Sequence, residues 1–117
     1  MAIMTAAGMG AAQQQSVSDI IQQPLEKVRE IATKFEMRTI QTAVMNEIIA
    51  DNMQHVERDF SEFVRSIAHS DAKDVANDHW GTSYELQETD KGYLIVSAGP
   101  DQSFDTNDDL YLSVRSR

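Results

Sequence analysis

The chain has no cysteine. Disulfides, thiolate metal sites and cysteine nucleophiles are excluded, although the compartment is not fixed by that alone. An extracytoplasmic chain without disulfides must brace its irregular parts another way, and a metal ion serves. Basic residues are also few. There are 10 Lys and Arg against 19 Asp and Glu, for a formal net charge of −9 and a pI of about 4.6. That balance argues against nucleic acid, which needs a basic footprint. It argues equally against a purely electrostatic hold on anionic lipid. Long apolar runs are missing too. Met1 to Ala12 is apolar or small throughout, but a membrane span takes about 20 such residues, and the stretch has no basic n-region of a secretory signal. It reads either as a mobile or added N-terminus or as the tail end of a membrane helix whose front is missing. No phosphate-loop or nucleophile-elbow spacing occurs. His55, His69 and His79 are scattered, whereas zinc needs three or four convergent ligands. The chain is expected not to be an enzyme.

With 117 residues, the length suits one domain with a modest core. From Ser16 the pattern is helical, with Ser16 or Ser18 available as a cap, Asp19 in the first turn and Pro24 near the start. Leu25, Val28, Ala32, Phe35, Thr39, Thr42, Asn46, Ile49 and Met53 recur at alternating three- and four-residue steps. Ile31, Ile40, Val44 and Ile48 widen that stripe, and the opposite face is charged. An amphipathic helix of thirty or more residues is predicted, long enough to cross the whole domain or project beyond it. Asp51-Asn52 suggests a break and a new cap. Val56, Phe60, Phe63, Val64 and Ile67 then predict a second helix from about His55 to His69.

After a polar loop the period changes to two. Tyr84 to Glu88, Tyr93 to Ser97 and Leu110 to Val114 read as strands, with Thr89 to Gly92 as a hairpin turn. The expected fold class is α+β: a long N-terminal helix, a second short helix and a three-stranded antiparallel sheet with the long helix on one face. In domain terms, 1–53 is the long helix, with 1–12 a possible membrane-helix remnant. Residues 54–79 hold the second helix and a variable loop, and 80–117 hold the sheet.

Between the last two strands lies an acidic loop. Asp101, Asp105, Asp108 and Asp109 fall within nine residues, with no basic residue among them. Like charges this close repel unless a cation sits among them, and calcium suits a flexible, all-oxygen loop. The alternative is solvated surface acid. An EF-hand is excluded, since Thr106 stands at the turn glycine and Leu112 at the bidentate glutamate. Upstream, Asp78-His79-Trp80-Gly81 carries the only tryptophan. Its indole is expected to plug the seam between helix and sheet.

Asp78-x-Trp80-Gly81-x-x-Tyr84, a hairpin, then Ser97-x-Gly99-x-Asp101 and a closing Asp108-Asp109 resemble the C-terminal half of the major pseudopilin of type II secretion systems. That family shares the type IV pilin fold. Thr39-Ile40-Gln41-Thr42-Ala43 with the later Asp51-Asn52 resembles its long helix and exit, so the resemblance runs from about Leu25 to Arg117. It implies a calcium loop closing the sheet, with side chains of Asp101, Asp108 and Asp109 and carbonyls of Ala98 and Thr106 as ligands. Asp105 has no family counterpart. It implies calcium in a structural role, in place of the disulfide many type IV pilins use. It further implies a structural subunit of a helical filament, packed through its N-terminal helices with its own copies. Other pseudopilins and inner-membrane secretion components would be partners. The filament would be periplasmic, anchored at the inner membrane, and would push folded exoproteins through an outer-membrane channel. The chain departs from the family in its front: the basic leader, peptidase site and early glutamate are not matched, and Met1 to Ala12 corresponds at most to the rear of the membrane helix. His79 replaces a common proline, and Val56 to Asn77 is short and lacks the usual landmarks. Major and divergent pseudopilin both stay open. So does a soluble, non-polymerising module that keeps the fold and uses its apolar helix on a partner.

Overall fold

The structure, a computed structural model, describes residues 17–116, with side chains from residue 25 onward. The expectation for Met1 to Ala12 lies outside the described residues. The first element, α1, spans Val17–Ile49 without interruption. There is no glycine between Gly10 and Gly81 to weaken it, and it runs through Pro24, where one rung of the ladder lacks a donor. Its end is a Schellman closure. The Asn52 amide donates to the Glu47 carbonyl at 2.9 Å and the Asp51 amide to Ile48 at 3.0 Å. Asp51 takes the left-handed position with φ 54°, a place where a short polar side chain substitutes for glycine. The expected break at Asp51-Asn52 is present. The expected new cap there is not, because Met53 occupies the N-cap of the next helix with no side-chain bond.

The single second helix predicted from His55 to His69 is two helices, α2 (Gln54–Arg58) and α3 (Phe60–Ile67). Asp59 separates them. It is extended, and its carboxylate accepts from the Glu62 amide at 3.1 Å. An aspartate in mid-run offers the backbone a capping bond, and here the cap wins over continuity.

Three strands follow: β1 (Glu85–Thr89), β2 (Gly92–Ser97) and β3 (Leu110–Arg115). They form one antiparallel sheet in the order β1-β2-β3. Thr89 pairs with Gly92, so the hairpin turns on Asp90 and Lys91. Gly92 has φ 148°, and a Cβ there would lie 2.1 Å from the Val114 carbonyl oxygen. Only glycine fits both constraints.

α1 covers the sheet, and Gln41 donates to the Ser113 carbonyl on β3 at 2.7 Å. The core joins Met37, Ile40 and Val44 of α1 to Val56, Phe63, Val64, Ala76, Tyr84, Ile95 and Val114. The helix does not pack through its most regular stripe. Thr33, Met37, Ile40 and Val44 go inward, while Leu25, Val28, Ile31, Phe35 and Ile49 stay exposed. The helix is apolar on two sides. Only the inner set, stepping by four, three and four, lies under the sheet.

Candidate metal loop and its anchorage to the long helix

The acidic loop begins where β2 ends. Ala98 and Gly99 are buried, and Gly99 takes φ 77°. A Cβ at Gly99 would lie 2.2 Å from the Asp108 carbonyl oxygen. The start of the loop therefore lies directly against its end, which brings Ala98 near Asp108. Between them the chain turns tightly: Gln102 donates its amide to the Gly99 carbonyl at 3.1 Å, and both Gln102 and Asp105 sit at positive φ, 59° and 67°.

The five residues expected as ligands differ in their engagement. Asp109 faces inward. Its Oδ2 accepts from the Asp105 amide at 2.7 Å and from the Tyr111 hydroxyl at 3.2 Å, and its Oδ1 accepts from Thr106 Oγ1 at 3.3 Å. Burial first, and then the bond to Asp109, push the Tyr111 phenol up from its ordinary value. The Thr106 carbonyl accepts from the Asp109 amide at 3.3 Å. Asp101 bonds locally, its Oδ1 accepting from the Ser103 amide at 3.0 Å. Asp108 is exposed, on the rim of a cleft of about 350 Å³ that also touches Glu26, Trp80 and Pro100. Ala98 can offer only its carbonyl.

Among the described residues, no group of three or more His, Cys, Asp or Glu is placed to hold a metal ion. Two of the five expected donors are main-chain carbonyls, which lie outside such a grouping. The donor chemistry itself fits a hard cation: every candidate ligand is oxygen, and no Lys or Arg occurs from Ser97 to Asp109. Asp109 uses three of its carboxylate's four or so acceptor sites on neighbouring donors, so it braces the loop from within and keeps one site for a cation.

The loop's attachment to the rest of the fold runs through Asp78, whose role the sequence reading missed. Asp78 is 1% exposed. Its Oδ1 accepts from the amides of Trp80 and Thr82, both at 3.0 Å, and its Oδ2 accepts from the Ser97 hydroxyl at 2.7 Å. The Gly99 amide in turn donates to Ser97 Oγ at 3.2 Å. A buried carboxylate needs such donors, because its desolvation is otherwise costly. The signal available in the sequence was an aspartate two residues before an amide that it can cap.

Trp80 sits beside this carboxylate. The expected plug in the seam between helix and sheet is not what it forms, since it lies outside the core cluster and is half-buried. Its indole Nε1 donates to Glu26 Oε2 on α1 at 3.1 Å, and its carbonyl accepts from Gln102 Nε2 at 2.6 Å. The seam is filled by Met37, Ile40 and Val44, which are smaller or more flexible and need no polar partner.

A second polar knot fixes the segment before the sheet. Glu36 Oε1 accepts from the Tyr84 hydroxyl at 2.6 Å and lies 3.0 Å from Lys73 Nζ, and its Oε2 lies 3.0 Å from His79 Nε2. Lys73 Nζ also donates to the Asn77 carbonyl. The His79 amide donates to the buried Thr33 hydroxyl at 3.2 Å. Burial, with the bond to Glu36 behind it, pushes the Tyr84 phenol far up. His55 and His69 pair instead with Glu47 and Asp71, so the three histidines do not converge.

Comparison of the chain with models of known families, with curated proteins and with solved structures finds no match.

Proposed function

We infer that the chain is a structural subunit that assembles with copies of itself, as a calcium-stabilised pilin-like filament protein of the type II secretion kind. The observation that carries this reading is the outer stripe of α1. Val28 is 60% exposed, Phe35 63% and Ile49 73%, and with Leu25 they fall at steps of three, seven and fourteen, whole multiples of the heptad after the first step, so they share the face that seats one helix against another. Large apolar side chains aligned on one exposed face mark an interaction surface. The element order supports the same reading: a long helix, a short helical segment, then a three-stranded antiparallel sheet whose last connection is the acidic loop.

In this role the loop is a clasp. Calcium, held by Asp101, Asp108 and Asp109 with the carbonyls of Ala98 and Thr106, supplies positive charge among the aspartates and stabilises the folded head. Extracellular modules bind calcium at roughly 10⁻⁴ to 10⁻³ M, so the clasp fills after export, in a periplasmic setting. Anchorage at the inner membrane belongs to this reading, and no described helix is long and apolar enough to cross a membrane. Partners are other copies, related pseudopilins and inner-membrane secretion components, and no catalytic step is assigned.

The test is sedimentation of the wild type and of Phe35→Glu in calcium. The wild type is expected to associate with rising concentration and the variant to stay monomeric with an unchanged melting temperature. A wild type that remains monomeric at millimolar concentration favours the non-polymerising module, with the same stripe serving a different partner.

A further inference from the structure

From Leu25 to Ala32, about two turns of α1, no described side chain is buried, and Thr33 is the first that is. Segments with so few buried contacts open at low cost. Within these turns, the hydrogen bond that reaches the head is the one from Trp80 Nε1 to Glu26. Trp80 is itself held from the acidic loop. Gln102 donates to its carbonyl, and Ser97, at the loop's entry, donates to the Asp78 carboxylate that caps its amide. Pro100 and Asp108 of the loop share a cleft with Trp80, Glu26 and Lys27. A continuous set of polar contacts therefore runs from the loop to the 25–32 stretch of α1, where no described side chain is buried, the kind of physical connection through which ordering at one place biases another.

We propose that Gln102, Trp80 and Glu26 form a latch by which the order of the 98–109 loop sets the docking of the 25–32 turns of α1, and with it the presentation of Leu25 and Val28. Gln102 is a positioning residue in this device. Its side chain donates to the Trp80 carbonyl, and it acts on the helix through that residue. The regulatory half of the proposal rests on the calcium reading above: a cation that orders the loop tightens the latch, so loading and exposure of the assembly stripe change together.

The test is hydrogen–deuterium exchange at amides 27–34, read in chelator and in about 1 mM calcium, with calorimetry reporting calcium uptake. In chelator, Gln102→Ala is expected to exchange about 2- to 10-fold faster there than the wild type, the change that loss of one net hydrogen bond gives. The α3 amides serve as the control and should not change. Glu26→Ala should behave like Gln102→Ala, and Glu26→Gln, which keeps an acceptor for the indole, should exchange like the wild type. Calcium should slow exchange at 27–34 in the wild type but not in Gln102→Ala, although both take it up. Equal exchange of Gln102→Ala and wild type in chelator overturns the latch, as does an equal acceleration across α3. No calcium uptake by the wild type overturns the regulatory half and the calcium reading, while the chelator comparison still decides the latch.

Discussion

The Ser97 hydroxyl donates to the buried Asp78 carboxylate at 2.7 Å, tying the end of β2 to the turn that carries Trp80. Asp78 satisfies three donors at once. Asp78→Ala orphans them in a dry site and is expected to lower stability by about 2–4 kcal/mol. Asp78→Asn keeps one acceptor oxygen for the two amides and should cost about 1 kcal/mol. Denaturant midpoints order the variants, and equal losses from both substitutions would contradict this account of the carboxylate.

Asp108 and Asp109 are neighbours with different work. Asp109 braces the loop through three hydrogen bonds, whereas Asp108 is exposed on the cleft rim. Asp109→Ala should therefore lower the melting temperature both in calcium and in chelator. Asp108→Ala should lower it in calcium and leave it nearly unchanged in chelator. Matching behaviour of the two variants would mean that the loop's internal bonds and its metal chemistry are not separable in this way.

At the hairpin, Gly92→Ala places a Cβ 2.1 Å from the Val114 carbonyl at a backbone angle that alanine avoids. A loss of about 2 kcal/mol or more is expected, read as a lowered urea midpoint. A neutral result would mean that the β2–β3 pairing at this end is looser than the register from Gly92 to Arg115 indicates.

Stability should also fall in alkali. The phenol of Tyr84 is pushed up by burial and by Glu36, and that of Tyr93 is pushed up to about 12 by its bond to Glu57 and then by burial. A folded-state pKa raised above the unfolded value means the stabilisation is complete below about pH 10 and is lost as pH rises past it. The expected slope from Tyr84 is about 1.4 kcal/mol per pH unit between pH 10 and 12. Tyr84→Phe should remove this share of the slope and leave that of Tyr93. A wild type with stability constant to pH 12 would contradict the burial of the Tyr84 phenol against Glu36.

Some of this was open to reading from residues alone. The hairpin followed from alternation on either side of a four-residue turn ending in glycine, and its strands lie within a residue or so of where they were expected. The length of α1 followed from its period. Which side of α1 meets the sheet did not. Two apolar sets share the helix, and the more regular one, from Leu25 to Ile49, stays outside. Local pattern carries no information on which set finds the partner. Asp59 shows a similar limit: the apolar steps run straight across it, and only its capping bond divides α2 from α3. At the loop, the acid density was visible, and Asp78 and Ser97 stood out as motif residues, but the bond between them did not, because it depends on their being brought together across 19 positions.

The most direct measurement is calorimetric melting of the wild-type chain in about 1 mM calcium and in chelator. With a dissociation constant of roughly 10⁻⁴ to 10⁻³ M, a ligand that binds only the folded state adds about 0.4 to 1.4 kcal/mol at that concentration. That is about 2 to 10 °C for a domain of this size. The account predicts a clear rise in melting temperature with calcium, smaller near the dissociation constant. Superimposable melts with and without calcium would contradict it.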